Sequence, residues 1–267
     1  MPRLLPAPAG VLLAMALGAT SACGQAFPVR PVKLVVGFTP GGGVDINARM
    51  LAGKLTEILG QSVLVENKPG AGTNIANEFV AKAVPDGYTL LINTAAVAIN
   101  MSLYRNVPFD TLRDFAPVAV FSESQNIMLT SAPATTALIA GEVDLVFINV
   151  PAILPHVKSG RLRALAAAGA RRTALMPDVP TLREAGVNGV EVAVWYGVLA
   201  PAGTPREVVT ILAGAIGRAA RSPDIRRKLL DQGAEPVGST PEEFGALLKE
   251  EVTKWREVVR ASGLKAE

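Results

Sequence analysis

The sequence predicts an α/β fold in which helices cover a parallel sheet. Two observations carry this. Short apolar runs alternate with amphipathic stretches from Val32 to Asn93, and Gly or Pro marks the turns between them. "VKLVVGF" reads as a buried strand. "DINARMLAGKLTEILG" reads as a helix with Ile46, Met50, Leu51, Leu55, Ile58 and Leu59 on the core side. Asn47, Lys54 and Glu57 fall on the opposite side, and Gly60 stops the helix. "SVLVEN" is a second strand, "TNIANEFVAKA" a second helix, and "YTLLIN" a third strand after the "PDG" turn. This βαβαβ order is that of parallel strands joined by crossover helices.

The middle of the chain is less regular. "APVAVF" and "NIMLT" read as two strands, "TTALIAGE" as a helix, and "VDLVFIN" and "LRALAAA" as strands. "VEVAVWYGVLAPAG" is the longest β-like run of the second half. Beyond it the chain is mostly helical. "Thr204-Pro205-Arg206-Glu207" and "Thr240-Pro241-Glu242-Glu243" each offer a capping hydroxyl, a proline at the first helical position and a Glu at the third. The last helix places Phe244, Leu247, Leu248, Val252, Trp255, Val258 and Val259 on a core-facing stripe.

Composition bounds the function. The 267 residues are enough for two modest lobes, and 49% hydrophobic content is ordinary for a globular chain. A net charge of +3 and only 5% aromatics do not furnish a basic, aromatic surface for nucleic acid. Residues 1–26 have the form of a secretory signal: Arg3, an apolar run at Val11–Leu17, then small residues with cleavage expected before Phe27. The sole cysteine, Cys23, lies in this segment, where simple cleavage is favoured over lipoprotein anchoring. The exported chain then has no thiol for a metal or a nucleophile. His156, the only histidine, and the Arg171-Arg172 pair read as structural or solvated positions, and no triad or metal motif occurs.

The richest local signal is "GFTPGGGVD", a glycine-rich turn from strand to helix. The dinucleotide fingerprint needs a third glycine where Ile46 stands, although Glu66 lies near the place of a ribose-binding acid. A bare turn, a nucleotide site and a small-anion site all remain open, with the anion site favoured. Glycines let backbone N–H groups approach a ligand, and the helix that follows presents its positive end. Asp45 would cap or organise the loop, or meet a ligand's amine or hydroxyl. "Pro69-Gly70-Ala71-Gly72-Thr73-Asn74" and "Asn93-Thr94-Ala95-Ala96" should open on the same sheet edge.

Taken together, "RPVKLVVGFTPGGGVDINARMLA", "VLVENKPGAGTNIANEFVAKAVPDGYTLLIN", "LRDFAPVAV", "GEVDLVFINVPAILPHVKSGRLRALA", "MPDVPTLREAG", "WYGVLAPAGTP" and "GAEPVGSTPEEF" resemble one family. It is the periplasmic substrate-binding proteins of tripartite tricarboxylate transporters, often called the Bug family. The resemblance implies a periplasmic binding protein type II-like fold: two α/β lobes joined by crossing strands. Lobe 1 would comprise 27–121 plus 191–267, and lobe 2 would comprise 122–190. It implies a small organic carboxylate held by Phe38, Pro40, Gly41, Gly42, Gly43, Asp45, Asn93, Thr94, Ala95 and Asn149, with no cofactor, metal or catalysis. It further implies a periplasmic monomer that delivers its ligand to membrane permease subunits, or in some members to a sensor kinase.

The chain departs from the family pattern in two places. Between "NIMLT" and "SAPATT" members carry roughly fifty more residues, about the length of a βαβ unit, including a second ligand loop. Where the family has Phe-Asp-Asn, this chain has Phe147-Ile148-Asn149. The expectation is a shortened second lobe and weak or lost binding. The readings from other classes are a nucleotide-dependent oxidoreductase and a non-binding paralogue.

Overall fold

A computed structural model describes residues 27–131 and 146–266. The expected signal segment, Cys23 and the helix expected at "TTALIAGE" lie outside the described residues.

The first half follows the sequence closely. Strands β1 (Val32–Val36), β2 (Val63–Asn67) and β3 (Thr89–Asn93) are parallel, with β1 in the middle. Helices α1 (Gly43–Leu59) and α2 (Asn74–Ala81) make the crossovers, and α3 (Ala96–Leu103) follows β3. Strands β1 and β3 read as apolar runs because both of their faces are covered. Leu34, Val36, Leu90 and Ile92 face a core with Leu51, Leu55, Phe121 and Ile216, while Val35 and Leu91 face another with Val80, Trp195 and Phe244. Gly60 ends α1 in the left-handed region at φ 68°, as its position predicts.

One detail of α1 is inverted. Asn47 is buried and Ile46 is 42% exposed, although hydrophobic periodicity assigned them the other way round. Asn47 can be buried because its groups are paired. Its Nδ2 donates to Gly43 O at 2.9 Å, and its Oδ1 accepts from Ser122 Oγ at 2.8 Å.

The two strands expected at "APVAVF" and "NIMLT" are one, β4 (Phe115–Ser131), 17 residues long. Its first part pairs antiparallel with β7 (Ala193–Pro201) and with the short β8 (Ala234–Pro236). Its last part pairs antiparallel with β5 (Val146–Asn149) and β6 (Leu162–Ala167). Register shifts at Pro117/Ala119 and Val120/Ser122 interrupt its pairing with β7, and one at Met128/Leu129 its pairing with β6. The sheet runs β2-β1-β3-β7-β4-β5, with β6 and β8 also on β4. The far region has its own small core of Ile127, Leu129, Val150, Ile153 and Leu162, built with α4 (Val150–Lys158).

Helices α5 (Arg206–Arg221), α6 (Pro223–Asp231) and α7 (Pro241–Ser262) complete the fold. Thr240 and Glu243 form the expected capping box, each side chain bonding the other's backbone N–H. The expected cap at Thr204 does not form. Thr204 Oγ1 instead donates to Pro201 O at 2.8 Å, and α5 starts with no side-chain cap. The stripe of α7 is buried at Phe244, Leu248 and Val252, but Val258 is exposed, so the helix leaves the core in its second half.

Candidate ligand-binding site

The site starts from the turn between β1 and α1. Gly41 takes φ 86°, a value open to glycine at little cost, and Gly42 turns the chain into α1 from an extended conformation. No side chain caps α1, so the amides of its first turn are left without helical acceptors, at the end of the helix where its dipole is positive.

Asp45 organises this turn rather than capping the helix. Its Oδ2 accepts from Gly41 N at 2.9 Å and from Arg49 Nε at 2.9 Å, while Oδ1 accepts from Asn67 Nδ2 at 2.9 Å. Asn67 also donates to Phe38 O at 3.1 Å, tying the turn to the end of β2. The Arg49 bond, with smaller help from Gly41 and Asn67, outweighs burial and holds the Asp45 carboxyl at about 2, below its ordinary 3.8. Its negative charge is thereby compensated at close range by Arg49, and its opposition to an incoming anion is reduced.

Gly41, Gly42 and Gly43 line a cavity of about 580 Å³ together with Ile46 and Asn47 of α1. The far walls come from Ser124 of β4, Tyr196 of β7, Ile148 of β5, and Gln232 and Ala234 before and within β8. A Cβ added to Gly43 would sit 3.1 Å from the Tyr196 hydroxyl, so glycine keeps this wall open. Ser124 is 2% exposed, and its Oγ has no hydrogen-bond partner among the described residues. Buried hydroxyls are almost always bonded, which makes this one an incomplete polar site facing the cavity.

Of the ten residues expected to hold a ligand, Gly41, Gly42 and Gly43 line this cavity; Phe38, Pro40 and Asp45 shape the turn behind it. Asn93 is fully buried, with Nδ2 donating to Asn77 Oδ1 at 2.7 Å and Oδ1 accepting from Thr94 N at 2.8 Å. It pairs across the sheet with Gly197, one residue from Tyr196, so the Asn93–Ala95 loop stands at the same sheet edge without lining the cavity. Asn149 ends β5 opposite Asn126, beside the cavity-lining Ile148. Ser124, Tyr196 and Gln232 were not foreseen, since they come from separate segments with no motif. The polar break "SESQ", which made β4 read as two strands, was the one visible sign of Ser124.

Neighbouring features fit less well with other chemistry. Glu66, the candidate ribose acid, is held between Lys33 and Lys68, each at 2.7 Å, and these bonds lower its pKa. Arg171 pairs with Glu235 at 2.9 Å and Arg172 with Glu184 at 2.8 Å, so both engage protein carboxylates. The described residues contain no group of three potential metal ligands. No helix among them is long and apolar enough to cross a membrane.

The profile of the tripartite tricarboxylate transporter family receptor matches residues 47–134 and 129–264. Protein BugT of Bordetella pertussis is 31% identical over 323 aligned residues, covering 99% of this chain and 99% of the relative. The alignment is longer than the 267-residue chain, so the relative carries residues with no counterpart here. Among solved structures, an R. palustris protein with adipate superimposes with a TM-score of 0.80 at 31% identity, covering 90% of this chain and 99% of the other. MatC from Rhodopseudomonas palustris with bound malate gives 0.78 at 29% identity, covering 87% and 100%.

Proposed function

Since the chain belongs to the tripartite tricarboxylate transporter receptor family, we propose that it captures a small organic carboxylate in the cavity between α1 and β5 and hands it to a membrane permease. The observation that carries this reading is the uncapped N-terminus of α1 on the same cavity as the Ser124 hydroxyl, which has no partner among the described residues. Backbone amides and a hydroxyl at a helix N-terminus suit a carboxylate without any Lys or Arg. The relatives solved with adipate and malate support a carboxylate as the ligand type. The oxidoreductase reading already lacks a third glycine, where Ile46 stands, and its candidate ribose acid, Glu66, is ion-paired with Lys33 and Lys68.

In this reading residues 27–121 with 191–267 form one lobe, residues 122–190 the other, and β4 and β7 are the crossing strands. The receptor works in the periplasm as a monomer after removal of the segment before Phe27. The second lobe is shortened after β4. The two profile matches meet at 129–134, and the aligned relatives are longer than this chain. A shortened jaw encloses the ligand less and weakens the hold on it.

Titration calorimetry of residues 27–267 with mono-, di- and tricarboxylates, and with NAD, tests the function. The expected result is saturable carboxylate binding with Kd weaker than about 10 µM. Binding of NAD with no response to any carboxylate would overturn the function. Tighter carboxylate binding, with compaction seen by X-ray scattering, would overturn the shortened-jaw part alone.

A further inference from the structure

We propose that the cavity selects a small monocarboxylate whose remaining part is apolar and uncharged, with Ser124 and a wall formed by Ile46 and Ile148 as the selecting groups. The inference rests on the receptor function proposed above and adds the class of ligand.

The cavity is polarised. Its lining includes the glycines at the uncapped start of α1 and Ser124, whose side chain is 2% exposed and whose hydroxyl has no partner among the described residues. A carboxylate oxygen accepts that hydroxyl proton and completes its bonding. Another wall is aliphatic. Ile46 turns away from the core of its own helix into the cavity, and Ile148 reaches it from β5.

No charged side chain among the described residues lines the cavity. Arg49, one turn along α1, is bonded to Asp45 and Asn67, and Arg171 is paired with Glu235. A second carboxylate would leave water against Ile46 and Ile148 without a counter-charge. An ammonium group would fare no better, because no carboxylate among the described residues lines the cavity. The site therefore binds one carboxylate and rewards an apolar remainder.

The test compares pentanoate with glutarate, which has the same number of carbons and a second carboxylate, by calorimetry on the exported chain. Pentanoate should bind at least about tenfold tighter than glutarate. Ser124→Ala should weaken pentanoate about fivefold or more by removing a bond to a charged acceptor. Ile46→Lys puts a cation on an exposed helix position, where folding is undisturbed, and should reverse the preference in favour of glutarate. Unchanged melting by circular dichroism confirms that the variants are folded.

Glutarate binding as tightly as pentanoate to the unaltered chain overturns the selectivity and leaves the receptor function standing. A pentanoate preference that Ile46→Lys does not move overturns the assignment of the wall. Failure of every carboxylate to bind overturns the receptor function and this inference together.

Discussion

Two residues of the glycine turn separate stability from function. Gly43 is the first residue of α1, where alanine is the better helix former, by up to about 1 kcal/mol. Yet its Cβ would stand 3.1 Å from the Tyr196 hydroxyl, on the wall of the cavity. Gly43→Ala should therefore leave the urea midpoint unchanged or slightly raised while weakening carboxylate binding about tenfold. Equal loss of both would mean that the glycine serves the fold rather than the ligand. Asp45 acts in the opposite way. Its folded pKa of about 2 lies below the ordinary 3.8, so its stabilisation is present above about pH 4 and fades as the pH falls toward 2. Asp45→Asn should cost about 2 kcal/mol at pH 6 through the weakened bonds to Arg49, Gly41 and Asn67. Urea unfolding should show the gap to the parent shrinking between pH 4 and about pH 2. A gap independent of pH would remove the charge from the account.

Elements were legible where their physics is local. Strands β1 and β3 announce themselves as apolar runs because neighbouring residues go to opposite, equally covered faces. The α7 start was legible because Thr240 and Glu243 sit three apart; Thr240→Ala should cost about 1 kcal/mol in thermal or urea unfolding, and a loss near zero would show the box idle. The same pattern at Thr204 failed because the helix begins one residue later, with Pro205 at its N-cap, while the Thr204 hydroxyl donates back to Pro201 O in the preceding turn. Periodicity also inverted Ile46 and Asn47, since it scores apolarity and cannot see that Asn47 finds partners in Gly43 and Ser122. β4 was read as two strands for a related reason. Its polar middle signals exposure to a sequence rule, whereas Ser122 and Ser124 are buried there. Half of the site was therefore visible as a glycine turn. The other half comes from single residues on β4, β5 and β7 and beside β8, which only the fold brings together.

At the scale of the whole molecule, β4 and β7 determine how the parts of the site meet. β4 runs from its antiparallel pairing with β7 into the small region of β5 and β6, so Ile148 and the α1 turn line one cavity. The small region has a limited apolar core and depends on this shared strand for its position. Both parts therefore contribute to the cavity wall: the α1 turn with Ile46 from the larger, and Ser124 and Ile148 from the smaller. The decisive measurement is a crystal structure of the exported chain soaked with pentanoate. The account predicts the carboxylate within hydrogen-bonding distance of the Gly43 and Val44 amides and Ser124 Oγ, with its alkyl chain against Ile46 and Ile148. Pentanoate bound elsewhere, for instance beside Glu123 and Arg171, with this cavity filled only by water, would contradict it.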